Sequence, residues 1–172
     1  VYTRLGDTEM AIDYFNQTVE VNPQYDKGWF SLGLNYQKNG HTNEALLSLE
    51  KAIEVNPSYA KAIAQKGKIY MQEADFEMAE NSFNQAIQVD PSYVSAYIDL
   101  GQILNAQERW DEAFNSLSTA TALDASKNKA WFLLAQSQNA KGSCDEAKES
   151  SRVALDLKSD YAPAFFEPNL AP

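Results

Sequence analysis

The chain has 172 residues, 44% of them hydrophobic and 12% aromatic, and a net charge of −10. That apolar content supports a buried core and excludes a disordered chain. The acidity excludes a nucleic-acid module, which needs concentrated lysine and arginine to hold phosphates.

One cysteine, Cys144, leaves no internal disulfide, and one histidine, His41, leaves no Cys/His zinc site. No stretch approaches the roughly 20 apolar residues that span a bilayer, so no membrane insertion is expected. The first residues show no basic–apolar secretory leader, which points to the cytoplasm.

Taken in chain order, the elements repeat every 34 residues. Val1 falls about ten positions into the repeat, so residues 1–25 read as a partial unit. Its first helix is mostly missing. Tyr2, Gly6, Ala11 and Phe15 supply the remainder and a second helix at about 8–21. Full units follow at 26–59, 60–93 and 94–127, then a degenerate one at 128–161. The spacing predicts helix pairs at about 26–39 and 42–55, 60–73 and 76–89, 94–107 and 110–123, 128–141 and 144–157. Within a unit the apolar residues recur at helical intervals, as in Trp29, Leu32, Gly33 and Tyr36, then Ala45, Leu49, Ala52 and Ile53. Asn39-Gly40-His41 breaks the two helices, since glycine suits a helix end. Pro23, Pro57 and Pro91 separate the units by pushing the preceding residue out of helical geometry.

Small residues keep step: Ala11, Ala45, Ala79, Ala113 and Ala147 in one series, Gly33, Gly67, Gly101 and Ala135 in another. Large ones oppose them: Phe15, Leu49, Phe83 and Leu117. In the last unit Gln138 and Ser151 replace the large residues and Ser159 replaces proline. Residues 162–172 form a tail in which Phe165 and Phe166 start a helix that Pro168 stops. Uncovered faces at the two ends are expected to drive end-to-end self-association.

Trp29-x-x-Leu32-Gly33-x-x-Tyr36, followed by Ala45, Leu49, Ala52 and Pro57, resembles the tetratricopeptide repeat. The resemblance implies an all-α, right-handed superhelical solenoid of antiparallel helix pairs, with the first helix of each pair lining a concave wall. It also implies a non-enzymatic scaffold that binds a protein or peptide segment in that groove. An alternative is the substrate-selecting or targeting arm of an enzyme whose catalytic domain lies elsewhere.

In this register the wall positions hold Lys27, Phe30, Leu34, Gln37 and Lys38, then Lys61, Gln65, Lys68, Met71 and Gln72. Ile98, Gln102 and Asn105 follow, and then Lys129, Phe132, Gln136 and Asn139. Phe30 and Phe132 fit either a groove surface or packing between hairpins. The carboxylate clamp of chaperone-binding relatives is not matched, its slots holding Phe30, Leu34, Gln65, Ser95 and Asp99. Starting one repeat later they hold Ala64, Lys68, Asp99, Lys129 and Leu133, which also fails. First helices carry seven lysines against Asp26, Glu73 and Asp99 in an acidic chain, which favours an acidic partner through steering.

No catalytic constellation competes with this reading, and no cofactor is expected. His41 and Cys144 are over 100 residues apart. Gly67-Lys68 lacks the flanking glycines of a phosphate loop. Asp111-Glu112 and Asp145-Glu146 open second helices, where carboxylates complement the helix dipole.

Overall fold

One left-handed residue turns each hairpin: Gly40 (φ 81°), Ala74 (φ 60°), Glu108 (φ 60°) and Gly142 (φ 82°). The chain reverses there, and the next N–H reaches back to a carbonyl of the first helix: His41 to Tyr36, Asp75 to Tyr70, Arg109 to Leu104, Ser143 to Gln138. These bonds satisfy carbonyls that a helix end would otherwise leave open.

Between hairpins a second device recurs. Asn22, Asn56, Asp90 and Asp124 each accept, on Oδ1, the backbone N–H two residues on. This side-chain turn mimics a backbone turn. It keeps the break at Asp124-Ala125 where proline is absent.

The computed structural model describes residues 2–157, with side chains from Thr8 onward. The end of the fifth repeat and the tail containing Phe165, Phe166 and Pro168 lie outside the described residues. Among them are nine helices and no strand: α1 Tyr2–Val21, α2 Asp26–Lys38, α3 Thr42–Val55, α4 Ala60–Gln72, α5 Phe76–Val89, α6 Val94–Ala106, α7 Trp110–Leu123, α8 Asn128–Ala140 and α9 Cys144–Leu157. No helix among them is long and apolar enough to cross a membrane.

The four later pairs fall where the spacing puts them. Their first helices stop one residue early, because the cap residue preceding the left-handed turn already has ψ near 0°, as at Asn39 and Glu73.

α1 departs from expectation. It runs unbroken through Gly6, where the register places a turn. Elongating a helix adds one hydrogen bond per residue fixed, whereas a turn must be held by a packed partner.

The backbone divides into two compact units, one through Leu100 and one from Gly101 on. In the first, α1 packs on α2 through Ile12, Val19 and Leu32, with Phe15, Trp29 and Tyr36 against them. Phe30, Ala45, Leu49, Ala52, Ala62 and Ile69 form the next layer. The small-residue series explains itself here: a Cβ on Gly33 would sit 3.0 Å from Leu49, and one on Gly67 2.9 Å from the Phe83 ring. Leu49 and Phe83 are fully buried, each contributing about 2 kcal/mol by area removed from water. In the second unit Ala113, Leu117, Ala120, Ala130 and Ala147 are fully buried.

A polar strap ties the start of three first helices to the loop before them. The Trp29 and Trp131 indoles donate to the carbonyls of Pro23 and Ala125 at 2.9 and 2.8 Å, and the Tyr97 hydroxyl donates to Pro91 at 3.2 Å. Ile63, at the same register, is fully buried and makes no such bond.

Candidate partner-binding wall

In the first unit the wall is made by α2, α4 and the Val94–Leu100 half of α6. At 100° per residue the positions carrying Lys27, Leu34, Gln37 and Lys38 share one face of α2, and those carrying Lys61, Gln65, Lys68 and Gln72 share one face of α4.

Three amides join the two helices. Gln65 Nε2 donates to Gln37 Oε1 at 2.6 Å, and Gln37 Nε2 donates to Gln72 Oε1 at 2.8 Å. The Gln65–Gln37 bond joins a residue near the end of one first helix to the residue 28 positions on in the next. The same spacing recurs in the second unit, where Asn105 donates from Nδ2 to the backbone carbonyl of Leu133 at 2.9 Å.

The predicted residues separate into buried and presented. Phe30 is 5% exposed and packs 5.2 Å, centroid to centroid, from the Tyr59 ring, with Lys61 Nζ 5.2 Å above its own centroid. For Phe30 the packing alternative describes what the structure shows: Tyr59, from the loop before α4, draws the ring in. Ile98 and Asn105 are likewise buried. Leu34, Gln37, Gln65, Lys68, Met71, Gln102, Lys129 and Phe132 are half-buried. Lys27, Lys38, Lys61, Gln72, Gln136 and Asn139 are exposed.

The lysines are not equivalent. Lys68 Nζ lies 3.4 Å from Oδ2 of the buried Asp99. Tyr93 stands nearby, its phenol held above the usual range chiefly by burial, with Asp99 and Asp90 reinforcing and Lys68 and Ser95 opposing. Lys66 is paired with Glu50 at 2.8 Å. In the second unit Lys141 reaches Asp111 at 2.5 Å and lies 4.6 Å over the Phe114 ring. Lys51, Arg109, Lys127, Lys148 and Arg152 also sit in ion pairs. Lys27, Lys38 and Lys61 have no carboxylate partner among the described residues, and all three lie on α2 and α4.

The groove reading from sequence missed Asp99 as a neutraliser of Lys68, and it missed Tyr59. The signal for Asp99 was that it holds a wall position in the unit that follows Lys68.

Three tetratricopeptide-repeat family models match the sequence, at residues 1–25, 26–59 and 70–136. Among solved structures the chain resembles MamA, with TM-score 0.78 and 22% identity over 90% of this chain and 91% of that one. MamA from Desulfovibrio magneticus RS-1 aligns with TM-score 0.75 and 18% identity over 94% and 91%. YrrB, described as a TPR protein with an unusual peptide-binding site, aligns with TM-score 0.71 and 18% identity over 92% and 82%. At those identities the likeness is one of fold. A curated relative, the uncharacterized protein MJ0572 of Methanocaldococcus jannaschii, is 48% identical over 29 residues, which span 17% of this chain and 34% of that protein. The helix pairs, the turn chemistry and the family matches lead to one statement: the chain is an all-α helical solenoid belonging to the tetratricopeptide-repeat family, an architecture of protein-interaction scaffolds.

Proposed function

We propose that the chain is a non-catalytic scaffold that holds an acidic segment of another protein on the wall of its first helices. The observation that supports this is the distribution of uncompensated charge. In a chain of net charge −10, where carboxylates are abundant, the ammonium groups of Lys27, Lys38 and Lys61 form no ion pair among the described residues. An exposed ammonium group needs no internal partner, yet three on adjacent helices raise the local potential and favour anionic ligands. Lys68 contributes little, because Asp99 cancels it. YrrB, with the same fold, is described as having a peptide-binding site, which makes a peptide ligand a natural candidate.

An array of random dodecapeptides probed with the labelled protein tests the reading. Acidic peptides should be enriched, and binding should weaken as salt screens the wall. The combined variant Lys27→Glu, Lys38→Glu, Lys61→Glu should lose that enrichment. The control Lys51→Glu with Lys148→Glu, on second helices, should keep it. Enrichment of basic or purely apolar peptides would overturn the assignment.

A further inference from the structure

We infer that the seam between α2 and α4 binds its acidic partner as an extended strand, with the partner backbone on the glutamine relay and two carboxylates about five residues apart on the lysines. This rests on the reading above and adds conformation and spacing to it.

An amide group offers one carbonyl oxygen and two N–H donors. Within the relay Gln37 both accepts from Gln65 and donates to Gln72. The outer ends are left open: the Gln72 amide N–H groups at one side, the Gln65 carbonyl at the other. Gln72 is exposed and Gln65 half-buried, so both ends can be reached. A peptide group is the complementary ligand, with one N–H and one C=O. Both are available in an extended chain, whereas a helix has already paired them internally.

The spacing comes from helix geometry. Lys27 and Lys38 lie eleven residues apart on one stripe of α2, a rise of about 16 Å at 1.5 Å per residue. An extended chain covers that in about five residues at 3.3 Å each. Lys61 stands beside Lys27 at the same register of the next helix, held over the Phe30 ring at 5.2 Å. One carboxylate therefore meets Lys27 and Lys61, the other meets Lys38, and the relay runs from Gln65, between the two levels, to Gln72 at the register of Lys38.

Fluorescence anisotropy on the whole chain with fluorescein-labelled decapeptides tests this. The first probe carries two glutamates five apart in a serine–threonine background. A second places them two apart. A third keeps the spacing of five in an alanine-rich, helix-forming background, and a fourth N-methylates the central peptide bonds of the first. The first should bind about tenfold tighter than each of the others, the loss expected for one charge-assisted contact or a short run of backbone bonds. Gln72→Leu, at an exposed position, should abolish the advantage of the first probe over the N-methylated one. Equal binding of the first two probes would overturn the spacing, and equal binding of the helical probe would overturn the extended conformation. Either result would leave the acidic preference from the peptide array standing. Full competition by inorganic polyphosphate against all four probes alike would reduce the seam to a generic anion surface and overturn the proposal.

Discussion

A Cβ placed on Gly101 would lie 2.4 Å from Cγ of Leu117 and 2.7 Å from its Cδ2. The obstacle is a branch point close to the backbone, which cannot swing away as a chain end would. Gly101→Leu is therefore expected to lower stability by about 1–3 kcal/mol or more through overpacking. Gly101→Ala should also destabilise, although alanine is the better helix former. Combining Gly101→Ala with Leu117→Ser should cost less than the two single changes added together. The degenerate unit 128–161 already holds that combination at the same register, as Ala135 and Ser151. Urea titrations of the double-mutant cycle measure the coupling. A melting temperature unaffected by Gly101→Leu would refute the proposed register.

Ala74 and Glu108 carry the left-handed backbone that Gly40 and Gly142 adopt without strain. A side chain in that conformation costs about 1–2 kcal/mol, part of which glycine forfeits through greater freedom when unfolded. Ala74→Gly and Glu108→Gly are each expected to stabilise the chain by about 0.5–1 kcal/mol. Thermal melts of the single and double variants check this, and additive increases are expected because each turn belongs to its own compact unit.

Asp124 holds the proline-less turn with its carboxylate. Hydrogen bonds from the Ser126 side chain, Lys127 and the Ser126 backbone lower its pKa from 3.8 to about 2. Because the folded value is the lower one, the stabilisation is present above pH 3.8 and disappears as pH falls toward 2. Asp124→Asn keeps an acceptor for the Ser126 N–H and should show less loss between pH 4 and 2 than the parent. Asp124→Ala should be less stable at every pH. Melting temperatures across that pH range distinguish the three.

Much of this architecture was legible in the sequence because the signals are local. Gly40 and Asn56-Pro57 announce a stop within a few residues of where α2 and α3 end. Ala74 and Glu108 show the limit. They adopt the same left-handed backbone without a glycine to mark it, since packing of the flanking helices imposes it. The wall was legible as a face and less so as a surface. Phe30 is drawn inward by Tyr59 of the following loop, and Lys68 is neutralised by Asp99 of the next first helix. Such outcomes depend on which rotamer meets a neighbour about 30 residues away, and periodicity carries no information about rotamers. The continuity of α1 through Gly6 was missed for the opposite reason. A turn signal is present at Gly6, but helix elongation through it prevails.

The tryptophan straps have an optical consequence. Trp29 belongs to the first compact unit and Trp131 to the second, and both indole N–H groups donate to a loop carbonyl at the start of a helix. Trp110 is the third tryptophan of the chain. With it replaced by phenylalanine, a chain keeping Trp29 emits from one unit and a chain keeping Trp131 from the other. Their emission spectra during a melt then reveal whether the two units come apart together or in sequence, with no dye attached.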